Sequence, residues 1–273
     1  MNPNPTRKNK PTTPDDDLMT FGGHLEVLRR MLFRVVAVTI TLACVIFAFK
    51  TATFNLLLAP SEWNFATYRW IEQLCKVFNP AFCFNEFHVD LIATDLSSQF
   101  MTHISTSIYL ALLFASPLIL FELFHFISPA LLENEKRYST RIVFTIYILF
   151  IMGVLMSYYI IFPLSFRFLG TYSVADKIHS TITLDSYITT FVSLTFLMGL
   201  VFQLPVIAFI MAKMQIINSD LLAQYRSYAF LIICLVAAII TPPDVMTLIL
   251  VAIPLYLLYE VSIRIVKNVY PRN

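Results

Sequence analysis

Residues 103–162 read HISTSIYLALLFASPLILFELFHFISPALLENEKRYSTRIVFTIYILFIMGVLMSYYIIF. Two long apolar stretches, about 103–127 and 142–162, flank a gap that holds Glu133, Glu135, Lys136 and Arg137. The hydrocarbon core of a bilayer is ~30 Å thick and asks for about 20 apolar residues at 1.5 Å rise per residue. Each stretch meets that length, so the segment predicts two membrane-spanning helices joined by a charged loop.

The same pattern recurs outward from this pair. Stretches at about 31–49 and 187–212 also qualify, and two shorter ones lie at about 227–241 and 245–262. Between the short ones sits TPPD, Thr241 to Asp244. Its paired prolines cannot continue a helix, and the residue before a proline is biased toward extended backbone. The fifth and sixth segments therefore predict a tight hairpin of two short helices reaching only ~21–27 Å, which implies local membrane thinning or a hairpin that stops short. The expected fold class is an all-α integral membrane protein with six transmembrane helices. The membrane domain covers 19–265, between a polar, Pro-rich tail at 1–18 that is read as disordered and a short tail at 266–273.

Composition agrees with this reading. The 273 residues are 58% hydrophobic and 13% charged, and mean hydropathy is +0.73. A soluble domain carries about 25% charge, so lipid is the expected solvent. No Lys/Arg run points to nucleic acid, and residues 1–18 hold no apolar core of a cleavable leader. No fixed-period repeat is present. With six spans both termini share one side. The far side holds Lys50, Arg69, Lys76, Arg167 and Lys177; the other fourteen of the 19 Lys and Arg fall on the side of the termini. The positive-inside rule makes that side cytoplasmic and puts the Glu133–Arg137 gap in the first cytoplasmic loop. Pro117, Pro205 and Pro254 fall inside spans and are expected to kink them.

The stretch from Lys50 to Ser98 lies outside on this topology. Trp63, Tyr68 and Trp70 suit headgroup anchoring there. Cys75 and Cys83 can close a disulfide across a short loop or stay as two thiols; Cys44 and Cys234 fall in spans and read as small apolar residues.

Bond-making chemistry finds no support. None of His24, His88, His103, His125 and His179 precedes a Glu, so no HExxH exists, and the five glycines build neither GxSxG nor a phosphate loop. No catalytic residue, metal-ligand set or cofactor site is assigned. Glu122 and Glu260 lie near cytoplasmic span ends, where they can snorkel to water. A proton-coupled transporter would show more ionisable groups at the midplane. A secondary transporter for a small solute is the alternative reading.

The remaining motifs act as an ordered set. HLEVLRRML precedes span one, with Glu26 and Arg30 at i,i+4 and Leu25, Leu28 and Leu32 on one amphipathic face. IATD at 92–95 precedes span two, and FISPALLENEKR at 126–137 follows it. IIFPLSF closes span three, FQLP lies inside span four, and TPPD with IPLYLLYE forms the last hairpin. In this order, over nearly the whole chain from about residue 20, the set resembles the TatC family, receptor core of the twin-arginine protein translocase.

The resemblance implies a concave, glove-like six-helix bundle that binds signal peptides carrying an Arg-Arg pair. It implies assembly with single-span TatA- and TatB-type subunits and with other copies of itself, and export of folded cargo on the proton-motive force across the bacterial cytoplasmic membrane. It assigns signal-peptide binding to Glu135, Phe126, Pro129, Glu26 and Arg29. It assigns partner-helix contact to Gln203, Pro205 and Asp244. Two positions depart from the family pattern. Val27 stands where HLxELR carries its carboxylate, one residue after Glu26, and Leu248 stands where the family often has Gln. From the residues alone, Gln203 can instead bond a carbonyl within the bundle, and Asp244 can cap the following helix.

Overall fold

The computed structural model describes residues 21–78, 86–127, 139–173 and 181–269. Among them, five helical segments are long and apolar enough to cross a bilayer: Leu25–Ala48, Ser98–Glu122, Ile142–Thr171, Leu184–Lys213 and Val245–Val269.

The first of these segments belongs to helix α1 (Phe21–Ala48). Beyond it lie α2 (Lys50–Leu58), a short 3₁₀ turn, and α3 (Ala66–Phe78). Strand β1 (Leu91–Ile92) leads into α4 (Ser98–Ile127), which packs along α1. Helices α5 (Ser139–Met156) and α6 (Phe162–Thr171) form the third long segment, joined by a π-helical turn at Ser157–Ile161. Strand β2 (Ile182–Thr183) pairs in parallel with β1, Leu91 against Ile182 and Ile92 against Thr183. Helices α7 (Leu184–Val201) and α8 (Leu204–Lys213) form the fourth segment. The chain closes through α9 (Ser219–Gln224), α10 (Arg226–Ile240) and α11 (Val245–Val269).

Two boundaries differ from the sequence reading. The last helix is not short: α11 has 25 residues and runs past residue 262. Arg264 and Lys267 end the apolar stretch, but both are good helix formers, and a helix can leave the bilayer without ending. α10 is short as expected, with 15 residues or ~22 Å. Pro117 and Pro254 sit inside unbroken helices, whereas Pro205 marks a real break between α7 and α8. At that break Gln203 N–H turns to Leu200 O, and Pro205 takes the first turn of α8, where no donor is needed.

A membrane leaves polar groups no water to bond. Several hydroxyls of the spans accordingly bond their own backbone one turn earlier: Thr39 to Val35, Ser107 to His103, Ser165 to Ile161 and Ser262 to Leu258. α7 forms the centre, burying Tyr187, Ile188, Phe191, Leu194, Thr195 and Met198. It crosses α5 closely through two glycines. A Cβ on Gly153 would lie 2.6 Å from Met198 O, and one on Gly199 would lie 2.6 Å from the Phe150 ring. Small residues take this role where no hydrophobic effect drives helices together. α10 buries only the stripe Ile233, Ala237 and Ile240, and leaves Leu231, Leu235 and Ile239 exposed.

At the end of the bundle that carries α3, phenol hydroxyls fasten the layer α2–α3 down. The single hydrogen of the Tyr68 hydroxyl is shared between Pro163 O at 2.8 Å and Pro60 O at 3.0 Å. Tyr158 donates to Leu56 O and Tyr187 to Leu57 O, both at 2.8 Å. Thr67 donates to Tyr159 O, the carbonyl that the missing N–H of Pro163 would serve in an α-helix. Tyr68 is fully buried, so it is a core residue of this layer and not a headgroup anchor; burial pushes its phenol above the ordinary tyrosine range. Trp70 is 73% exposed and remains free to meet headgroups. Trp63 stacks parallel to Tyr68, and the Arg167 guanidinium lies 5.7 Å from its ring centre.

Candidate functional site: the Glu122 end of the bundle

The opposite end is built from charge. α1 and α4 run antiparallel, so the first turns of α1 lie at the end where α4 finishes. An ion pair between Arg34 of α1 and Glu122 of α4 fixes this register. Glu122 does not snorkel: it is 7% exposed. The Arg34 guanidinium, itself more than half exposed, satisfies the buried carboxylate from the solvent side. Two turns before Arg34, Glu26 accepts from Arg29 Nη2 at 3.0 Å and from Arg30 Nη2 at 3.5 Å. The i,i+4 pair expected from sequence is therefore a three-residue cluster, with Glu26 half-exposed between two consecutive arginines. Across the bundle, Glu260 of α11 takes Arg226 of α10 in both arms of its fork, Nε–Oε1 at 2.8 Å and Nη2–Oε2 at 3.0 Å. Tyr259 hydroxyl donates to Leu222 O and ties α11 to α9 at the same end.

Among the described residues at this end, Glu26, Glu122 and Glu260 are each held by an arginine of the same chain. The two ion-pair partners, Arg34 and Glu122, were not joined from sequence. Their signal was an opposite charge at the same end of two adjacent apolar stretches. Phe126 lies in the last turn of α4; Pro129, Glu133 and Glu135 lie outside the described residues. The described geometry brings the helix carrying Glu26 and Arg29 to the helix that ends at Ile127.

The residues expected to meet partner helices do not form one cluster. Gln203 is buried at the α7–α8 break. Its amide nitrogen donates to Ile146 O at 3.2 Å and Gly199 O at 3.4 Å, while its Oε1 is buried without a partner among the described residues. Gly199 O is the carbonyl that Gln203 N–H would have served had α7 continued. The side chain thus replaces a bond that the break removed. An apolar cavity of about 430 Å³ opens beside it, lined by Thr145, Met152, Phe202, Pro205, Val206 and Leu258. Asp244 lies at the other end of the bundle. Its Oδ1 accepts from Thr247 N at 2.6 Å and caps α11; its Oδ2 and the Thr247 hydroxyl are buried without partners among the described residues. Cys75 lies on α3, and Cys83 is outside the described residues. Among the described residues no group of three His, Cys, Asp or Glu side chains could hold a metal ion.

Comparison with known proteins agrees along the length of the chain. The family model for the Sec-independent protein translocase protein TatC matches residues 23–254. The TatC of Blattabacterium from Periplaneta americana is 32% identical over 251 residues, covering 90% of this chain and 94% of that protein. The TatC of Carboxydothermus hydrogenoformans is 31% identical over 260 residues, covering 95% and 97%. A crystal structure of the twin-arginine translocase receptor TatC superposes with a TM-score of 0.70 at 30% identity, covering 90% of this chain and 99% of that one. The bundle, its motifs and these similarities agree: the chain belongs to the TatC family of Sec-independent protein translocase components.

Proposed function

We propose that this protein is the signal-peptide receptor and core subunit of a twin-arginine translocase in a bacterial cytoplasmic membrane, with both termini cytoplasmic. It works by binding and assembly and has no catalytic residue. It passes folded cargo on the proton-motive force, together with single-span TatA- and TatB-type subunits and further copies of itself. The observation that carries this reading is the meeting of α1 and α4 at an end where carboxylates already hold guanidinium groups. A guanidinium keeps its charge and offers a planar donor fork, so carboxylates at a membrane surface select Arg-Arg over Lys-Lys.

In this reading Glu135 is the main acid for the signal peptide. Phe126 and Pro129 shape the loop that carries it. Glu26 contributes less, because its own Arg29 and Arg30 compete for it. Gln203 and Pro205, beside the apolar cavity, receive one partner helix, and Asp244 a second contact at the α10–α11 hairpin. Cys75 and Cys83 close a disulfide in the exported-side loop.

Photocrosslinking from position 135 tests the receptor role. A twin-arginine signal peptide should crosslink and a Lys-Lys control should not. In a reporter-export assay, Glu135→Ala should block export more than Glu26→Ala. Equal crosslinking of both peptides, or the reverse order of the two variants, would contradict the assignment.

A further inference from the structure

The α3 end carries an open cavity of about 530 Å³ where α1 passes into α2 and α4 begins. Lys50, Asp95, Gln99 and His103 line it, with Leu96 and Phe100 at its edge. His103 is 7% exposed, and its Nε2 is buried without a hydrogen-bond partner. Its ring is clamped, stacked on Phe47 at 4.2 Å and edge-on to Phe54 at 5.6 Å. The Lys50 ammonium, the Asp95 carboxylate and the Gln99 amide make no side-chain bond among the described residues. One cavity therefore gathers a cation, an anion, an amide and a buried imidazole, and none of these groups bonds another. A buried polar atom left unpaired is costly, and such atoms mark places where another molecule supplies the partner.

Position identifies the class of that molecule. Lys50 follows the apolar segment Leu25–Ala48 by two residues, and Asp95 precedes Ser98–Glu122 by three. The cavity thus sits at the boundary between hydrocarbon and water. Its surroundings are apolar and uncovered: Leu96 is fully exposed, Phe49 is 66% exposed and Phe100 is 58% exposed. A molecule with a polar head at this depth and acyl chains beside it meets both requirements.

We propose that this cavity binds a phospholipid with a phosphoethanolamine headgroup. Lys50 and His103 donate to the phosphate, which carries the negative charge. Asp95 accepts from the primary ammonium, with Gln99 as a second acceptor. A choline head has no N–H to give Asp95, and a glycerol head has no cation for it. Leu96, Phe100 and Phe49 pack on the acyl chains.

Native mass spectrometry of the full chain in detergent tests this with an equal mixture of phosphatidylethanolamine, phosphatidylcholine and phosphatidylglycerol of matched chains. The protein should retain phosphatidylethanolamine about tenfold over phosphatidylcholine, the discrimination that one charge-assisted hydrogen bond supplies. Asp95→Asn should abolish that preference, and Lys50→Gln should weaken retention of all three lipids. Both positions are exposed, so neither variant endangers the fold. Water-soluble glycerophosphoethanolamine at equal concentration should not displace the lipid. Equal retention of the three lipids, an unchanged preference in Asp95→Asn, or displacement by the soluble headgroup would overturn the assignment.

Discussion

The two ends of this bundle are held by different chemistry. At the α3 end, hydroxyls of Tyr68, Tyr158, Tyr187 and Thr67 bond backbone carbonyls, and aromatic rings fill the space between. At the Glu122 end, Arg34, Arg29, Arg30 and Arg226 hold Glu122, Glu26 and Glu260. A phenol on a carbonyl is neutral, buried and indifferent to salt. A guanidinium on a carboxylate at a wet surface can be exchanged for another guanidinium. The difference teaches where a bundle of one fold is fixed and where it can trade partners: the α3 end is scaffold, and the Glu122 end is suited to recognition.

The comparison can be broken first at the point that joins the ends. Gly153→Leu drives a side chain into Met198 O, which is backbone and cannot swing away. Overpacking of this kind should cost about 3 kcal/mol or more and prevent recovery of folded protein, read by size-exclusion chromatography in detergent. Normal recovery would mean that α5 and α7 are not locked here. At the Glu122 end, Arg34→Ala leaves a buried carboxylate without its cation and should cost about 2–3 kcal/mol in thermal unfolding. Adding Glu122→Gln should restore most of that loss, because the charge itself is then gone. At the α3 end, Tyr68→Phe removes the hydroxyl that reaches Pro60 O and Pro163 O and should cost about 1–2 kcal/mol, unchanged between low and high salt. A salt-dependent loss at Tyr68, or a salt-independent one at Arg34, would erase the distinction between the ends.

Much of the fold was legible in the sequence, because a bilayer demands long apolar runs and leaves few alternatives. The expected spans at 142–162 and 187–212 fall inside the long apolar helical segments, and those at 31–49 and 103–127 overlap theirs. The end of α11 was not legible, since hydropathy measures where lipid stops and not where a helix stops. Pro205 and Pro117 look alike in sequence; only packing decides that one breaks its helix and the other does not. Tyr68 was misjudged because an aromatic in an exterior loop fits both an interface anchor and a covered core. The Arg34–Glu122 pair needed the α1–α4 register, which composition does not carry. Of the candidate site, Glu26 with Arg29 and Arg30 was partly visible as helix spacing. Both open readings for the bundle interior hold locally: Gln203 bonds carbonyls within the bundle, and Asp244 caps α11. Glu135 and Pro129 rest on motif order, outside the described residues.

The central proposal is that the Glu122 end offers carboxylates, Glu135 first among them, to the guanidinium pair of a signal peptide. The most direct measurement is equilibrium binding of a labelled twin-arginine signal peptide and its Lys-Lys twin to the purified protein, with and without Glu135→Gln. The account predicts that Arg-Arg binds at least about tenfold more tightly than Lys-Lys, and that Glu135→Gln removes most of that ratio. Equal affinity for the two peptides would contradict it.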